Sequence, residues 1–315
     1  MRVIVLGDVM LDWDNIAEVS RISPEAPVLV ADVVAEYFRL GGAANVAHNL
    51  RKLGCDVTVC GVVGEDYFGE VLTEYIRQEQ ITPCLFSTSG RVTTVKQRFL
   101  SDHNVHLFRG DREDRTLISD DIQASIVEYI KSQVEYGIDG IVVADYAKGF
   151  VGQYLASVLN DINVPVFADL KPKNMHLFHN LEVMTPNEKE AFEYFRTQNA
   201  VEENFDIKQV GGFLQAQSKN VIITLGAKGI MLFNSDYTDG ILLHSSVNTN
   251  GYNIVDTCGC GDVVTAVFTY VLLSGYSAID AAKVANSAAG MTVKDVGVST
   301  ISSEQLKEIL LSKSI

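Results

Sequence analysis

Nothing in the 315 residues has the pattern of a zinc ribbon, a disulfide framework or a membrane span. The five cysteines, Cys55, Cys60, Cys84, Cys258 and Cys260, are odd in number and contain no CxxC pair, so reduced thiols are expected. His103 with His106, and His176 with His179, lack the carboxylate or cysteine that would complete a metal-ligand set. The longest apolar runs, such as residues 263–273, are too short to span a bilayer and are broken by Thr265, Thr269 and Tyr270. No small-residue cleavage site follows the start, where a strand-like stretch at residues 3–6 begins almost at once. The chain therefore reads as cytoplasmic. Positive charge is scarce as well. Twenty-five Lys and Arg against 40 Asp and Glu give a formal net charge of −15, which disfavours nucleic acid and anionic membrane as partners. An anionic substrate then needs a local basic pocket.

Two familiar phosphate-binding patterns are also missing. There is no Walker A sequence, and the glycines near residue 260 do not fit a dinucleotide fingerprint, because Val264 stands where the third glycine belongs. No internal repeat and no low-complexity tract is visible.

What is present is an alternation of short apolar strands and helical patterns. β-Branched runs recur at residues 3–6, 57–63, 141–144, 164–168, 181–184 and 221–224, as expected of strands covered on both faces. Ala43, Val46, Ala47, Leu50 and Leu53 follow helical spacing. The reading is a three-layer α/β fold with a mostly parallel central sheet flanked by helices, in one domain over residues 1–315. Residues 13–38 and 91–109 break the rhythm and read as strands of a small separate sheet, inserted after the first strand and after the second helix. Insertions at the carboxyl ends of parallel strands sit where ligands bind, so a β-sheet lid is expected.

The most informative segment is residues 256–262, Asp-Thr-Cys-Gly-Cys-Gly-Asp, followed at once by an apolar helical run. Gly259 and Gly261 allow a tight turn, so the free N–H groups opening the helix, including that of Cys260, can face an anion. Asp262 at the edge of this hole is in position to take a proton from a hydroxyl while the N–H groups stabilise a transferring phosphoryl group. A helix N-terminus lowers a carboxylate pKa, so Asp262 is expected to be ionised at pH 7 and only weakly basic.

This segment is similar to the D-T-x-G-A-G-D signature of the ribokinase or PfkB carbohydrate kinases, and the paired early signature stands as Gly41-Gly42-Ala43-Ala44-Asn45. A third match, Asn187-Glu188-Lys189-Glu190, resembles the family's N-x-x-E motif. The resemblance implies a ribokinase-like fold and ATP-dependent phosphorylation of a sugar, with Asn187 and Glu190 acting on hydrated Mg²⁺ and the phosphates. Ordinary helix capping is their other reading. Thr224, Gly226 and Gly229 resemble the turn beside the ATP phosphates, and Asn286 lies on the helix that borders the adenine in relatives. By matched motif positions, Asp12, Gly41, Gly42 and Asn45 hold sugar hydroxyls. A monovalent cation is a further candidate cofactor, and a homodimer through the lid is implied.

In its first half and in two later segments the sequence looks like the heptose 7-phosphate kinases of lipopolysaccharide core synthesis. The residues concerned are Gly7-Asp8-Val9-Met10-Leu11-Asp12, residues 20–28, Asp145-Tyr146-Ala147-Lys148-Gly149 and Asp169-Leu170-Lys171-Pro172-Lys173. A substrate that already carries a phosphate fits Lys96 and Arg98, two apart on one strand face, with Arg21, Arg109, Lys148, Lys171 and Lys173 as further candidates. Kinases for other sugars share the catalytic motifs, and a catalytically silent sugar-phosphate sensor could share the fold. The family's alanine in G-A-G-D is Cys260 here, and the chain ends at Ile315, with no room for the nucleotidyltransferase domain fused to some of these kinases.

Overall fold

A computed structural model of the chain describes residues 1–101, 105–199, 205–245, 259–292 and 300–312. Strand β1 (Arg2–Gly7) passes after one residue into β2 (Val9–Ile22), which returns as β3 (Leu29–Gly42) and leads into α1 (Ala43–Lys52). β4 (Asp56–Gly64), α2 (Tyr67–Gln78) and β5 (Thr82–Thr88) follow, then the hairpin of β6 (Val95–Leu100) and β7 (His106–Arg112). The alternation resumes with α3 (Asp120–Glu135), β8 (Gly140–Ala144), α4 (Gln153–Asn160), β9 (Val166–Asp169), the short α5 (Pro172–Met175) and β10 (Leu181–Met184). Next come α6 (Glu188–Asn199), α7 (Ile207–Leu214), β11 (Ser218–Thr224), β12 (Gly229–Asn234) and β13 (Tyr237–His244). The helices α8 (Cys260–Leu273), α9 (Ala278–Thr292) and α10 (Ser303–Ser312) complete the order.

The large sheet runs β13-β12-β11-β10-β9-β8-β1-β4-β5. It is parallel from β5 to β11 and antiparallel only across β11, β12 and β13. Both faces are covered, and β1 shows how. Val3 and Val5 join one core with Leu50, Leu72, Phe268 and Ala285 from α1, α2, α8 and α9, whereas Ile4 and Leu6 join the other with Ile126, Leu155 and Val210 from α3, α4 and α7. Alternate residues of one strand thus feed opposite layers.

The small sheet has the order β3-β2-β6-β7. Its strands are longer than the sequence pattern predicts, because β2 carries on from β1 almost without a break. Its second half follows strand β5, not the second helix. β5 escapes the apolar pattern because it is an edge strand with a proline, Pro83, and only partial burial. At the root of this sheet Gly41 has no side chain where a Cβ would lie 2.3 Å from Asp12 Oδ2. Only glycine allows β3 so close to that carboxylate.

Candidate active site

The carboxyl ends of β9, β10 and β11 and the start of α8 enclose a cavity of about 120 Å³. Asp169, Lys171, Thr185, Asn187, Glu190, Thr224, Tyr146, Gly259, Gly261 and Asp262 line it. Gly259, in the left-handed region at φ 79°, precedes the first turn of α8 and delivers Asp262 there, 4 % exposed. Residues 256–258 of the glycine-rich segment, and Cys258 with them, lie outside the described residues, as does His103.

Asp262 departs from expectation. Burial pushes its carboxyl up to about 6, and hydrogen bonds from Asn45 and Tyr146 together with the charge of Lys96 pull only partly against that. The reading of a depressed, weakly basic Asp262 is therefore corrected: desolvation outweighs the helix N-terminus. Asn45, on the first turn of α1, donates its amide to Asp262 Oδ2 at 2.6 Å, so this side chain orients the carboxylate. The hydroxyl of Tyr146 donates to the other oxygen, Oδ1.

Tyr146 belongs to the loop after β8. The Asp8 carboxylate accepts the backbone N–H groups of Tyr146, Lys148 and Phe150 at 2.8, 3.0 and 3.2 Å. Asp145 accepts from Ala147 and Lys171 backbone N–H and from the Asn174 amide. Burial, then the charge of Asp145, lifts the Asp8 carboxyl to about 6. The ammonium groups of Lys96 and Lys171 each lie 5.1 Å from the centre of the Tyr146 ring, within cation–π range. No chemical role follows for Asp8, Tyr146 or Asp169 from local sequence, although all three stand in segments that carry the family likeness.

Asn187 and Glu190 hold each other: the Glu190 N–H donates to Asn187 Oδ1 at 2.9 Å and the Asn187 N–H to Glu190 Oε2 at 3.0 Å. The other oxygen of Glu190 pairs with Lys171. They cap α6 and face the cavity at once, so capping and a binding role are compatible. Asp169 is 8 % exposed and its carboxyl is raised to about 7, first by burial and then by Glu190, Asp262 and Asp145, with Lys171 opposing. Several anionic oxygens around a small volume are hard donors suited to a hydrated divalent cation. Among the described residues no group of three or more His, Cys, Asp or Glu could hold a metal, so such an ion fits here only with phosphate and water as most of its ligands.

Other expected residues sit elsewhere. Arg98 is buried and paired with Asp12 at 2.8 Å and Asp14 at 3.3 Å, at the root of the small sheet. Lys96, two residues earlier, reaches toward Tyr146 and Asp262. Gly226 opens a short turn and Gly229 starts β12 against the Leu243 carbonyl, both outside the cavity lining. The Asn286 amide donates to the Leu243 and His244 carbonyls at 3.1 and 2.9 Å, tying α9 to β13. Cys260 turns its thiol toward Thr292 on α9, at 3.9 Å.

A carboxylate with a near-neutral pKa beside a helix N-terminus and a set of charged phosphate-type donors suits phosphoryl transfer to a hydroxyl. The model of the pfkB family of carbohydrate kinases matches residues 1–305. The chain belongs to that family. Among its relatives, the bifunctional protein HldE of Campylobacter jejuni subsp. jejuni serotype O:6 is 34% identical over 314 residues, covering 97% of this chain and 64% of its own length. Its namesake from Trichlorobacter lovleyi is 34% identical over 313 residues, covering 97% and 62%. The chain thus spans less than two thirds of the curated relatives it matches. Crystal structures with the same fold include phosphofructokinase-2 from Escherichia coli in complex with potassium, with 18% identity, a TM-score of 0.80 and 100% and 99% of the two chains covered. Ribokinase from Thermotoga maritima has 20% identity and a TM-score of 0.72 over 98% and 99%. This pfkB kinase therefore has the ribokinase-like fold, and its family implies ATP and a divalent metal. Among the described residues no helix is long and apolar enough to cross a membrane.

Proposed function

We propose that this kinase transfers the γ-phosphoryl group of ATP to the anomeric hydroxyl of D-glycero-β-D-manno-heptose 7-phosphate, giving the 1,7-bisphosphate. The observation that carries the chemistry is Asp262, buried in the cavity with its carboxyl at about 6 and oriented by Asn45. In this reading the sugar hydroxyl gives its proton to Asp262, its oxygen forms the bond to the γ-phosphorus, and ADP leaves with the bridging oxygen. The N–H groups opening α8 stabilise the transferring group. Mg²⁺, placed beside Asp169, Asn187 and Glu190 largely through water, would neutralise phosphate charge. Sugar hydroxyls are assigned to Asp12, Gly41, Gly42 and Asn45, and Lys96 is the candidate cation on the acceptor side.

The substrate is supported by the segments that resemble heptose 7-phosphate kinases and by the identity to the HldE proteins. The complex of phosphofructokinase-2 with potassium extends the proposal to a monovalent cation. The small sheet closes over the sugar as a lid and pairs two subunits. It exposes Ile22, Leu29, Val34, Tyr37 and Phe108, each more than half accessible, and apolar residues gathered on one element mark a contact surface.

The test is an ADP-release assay with Mg-ATP against heptose 7-phosphate, ribose, fructose and hexose phosphates, with potassium or sodium. Turnover highest with heptose 7-phosphate is expected. A preference for another sugar would reassign the substrate, and no turnover with any would favour a silent sensor. Sedimentation of wild type and Leu29→Lys checks the pairing: a dimer that the substitution dissociates is expected.

A further inference from the structure

The hydroxyl of Tyr146 lies on the oxygen that the proposed base needs. Asn45 takes Asp262 Oδ2 and Tyr146 takes Oδ1, so both oxygens of the carboxylate are bonded to protein donors. The phenol is held there by its loop and by two neighbouring lysines. Asp8 grips three backbone N–H groups of its loop, and Lys96 and Lys171 approach its ring from the small sheet and from the loop after β9. Burial and the neighbouring Asp262 keep the phenol protonated, raising its pKa far above the ordinary value, so it remains a donor.

A sugar kinase faces a competitor for its base, because water is also a hydroxyl acceptor for the γ-phosphoryl group. To be activated, either must approach the Asp262 carboxylate from the cavity, whose wall includes Tyr146 and not Asn45, and there it competes with the phenol at Oδ1. Loss of a charge-assisted hydrogen bond to a carboxylate corresponds to roughly a tenfold change or more. A sugar anchored at several other hydroxyls can offset that cost with binding energy from its remote contacts. A single water has no such contacts.

We propose that Tyr146 guards the proton-accepting oxygen of Asp262, yielding it to an anchored sugar and withholding it from water. It acts through Asp262 and is a positioning residue. The inference rests on Asp262 being the base. Without the guard, a water gives its proton to Asp262 Oδ1, its oxygen bonds to the γ-phosphorus, and the bond from that phosphorus to the bridging oxygen breaks, leaving ADP and inorganic phosphate.

The experiment is phosphate release from Mg-ATP in the absence of sugar by wild type, Tyr146→Phe, Asp262→Asn and the double variant. Phosphate release by Tyr146→Phe is expected to rise on the order of tenfold or more, and sugar phosphorylation to change by less. A purely structural role for Tyr146 would lower both rates together. The double variant is expected to lose the added hydrolysis. Unchanged or reduced hydrolysis in Tyr146→Phe overturns the guard while leaving the base standing, provided that Asp262→Asn still abolishes sugar phosphorylation. Hydrolysis that rises in Tyr146→Phe and persists in the double variant overturns both. An arm on wild-type enzyme removes any dependence on the variant's folding. The 1-deoxy analogue of heptose 7-phosphate fills the sugar site but offers no hydroxyl to Asp262 Oδ1, so the phenol stays in place and ATP hydrolysis should not be stimulated. Stimulation at saturating analogue, shown bound by calorimetry, also overturns the guard.

Discussion

The two ends of the large sheet contrast in size and in how deeply their charges are buried. At the carboxyl ends, about 120 Å³ holds Asp169, Glu190, Lys171 and Asp262, with Asp169 and Asp262 raised to about 7 and about 6 by burial. At the amino ends lies an open cleft of about 980 Å³ between α4, β9, β10 and β11, lined by Asn160, Asn180, Gln217 and Ser218 together with Asp161 and the ion pair of Lys219 with Glu182. Its polar groups serve the protein itself: Asn160 bonds the Leu177 carbonyl and the His179 N–H. Gln217 donates to the Met175 and Phe178 carbonyls and to the Tyr194 hydroxyl. Volume therefore does not mark the candidate site. Buried charge without full compensation does, because a fold keeps such strain only where something else offsets it.

If the contrast is functional, the largest effect belongs to Asp262. Asp262→Asn keeps the shape and removes the proton acceptor, so kcat should fall on the order of 100-fold or more with ATP affinity near wild type. Retention of most of the wild-type kcat would erase the distinction between the two ends. In wild type the base works only when ionised, so kcat/KM should decline below about pH 6, following the pKa of the buried carboxyl. Asn45→Ala removes a donor to the charged form, and the acid limb should move to higher pH.

Asp169 tests the strain itself. Its carboxyl titrates near 7 in the folded chain and near 3.9 when unfolded, so the folded state binds more protons in between. Stability from this group is present below about pH 4 and lost as pH rises through 7. Asp169→Asn should therefore raise the melting temperature at pH 8, by an amount corresponding to roughly 4 kcal/mol, and the gain should vanish toward pH 4. Activity should fall on the order of tenfold as an anionic ligand is lost from the cavity. A variant that is destabilised at pH 8 would mean that Asp169 is compensated after all.

Much of this contrast lies beyond local sequence. The apolar runs expose β1, β4 and β8 to β11, because strands covered on both faces are apolar along most of their length. In the antiparallel hairpin, β13 is half-exposed and mixes polar with apolar residues, so it offers no such run, whereas β12 carries the buried run Ile230-Met231-Leu232-Phe233. The glycine turn announces Asp262, since its chemistry lies within seven consecutive residues. Tyr146 meets Asp262 across 116 positions and Asn45 across 217, distances no spacing rule covers. The helix-dipole argument for Asp262 gives the wrong direction because a local rule contains no burial term.

Gln217 at the amino end should behave in the opposite way to Asp169. Gln217→Ala strips the donor from the Met175 and Phe178 carbonyls and should cost about 1–3 kcal/mol of stability, with little pH dependence because no charge is involved. The rate at 25 °C should stay within about twofold of wild type. A loss of turnover at full foldedness would bring the large cleft into the mechanism.

The smallest effect is expected at Cys260, which belongs to the catalytic end by sequence but not by the direction of its side chain. Its backbone opens α8, whereas its thiol packs toward Thr292 on α9. Cys260→Ala restores the residue of the related motif and leaves the backbone turn intact, so kcat and KM should change by less than about twofold. Alkylation is a different perturbation. A bulky group on this sulfur has to fit between α8 and α9, and it should tilt the first turn of α8 and slow phosphoryl transfer. Iodoacetamide should therefore inactivate wild type faster than Cys260→Ala, and Mg-ATP should protect by holding that turn in place. Equal inactivation of both proteins would move the sensitive thiol elsewhere. Half-buried Cys84, on the edge strand β5, is the next to substitute.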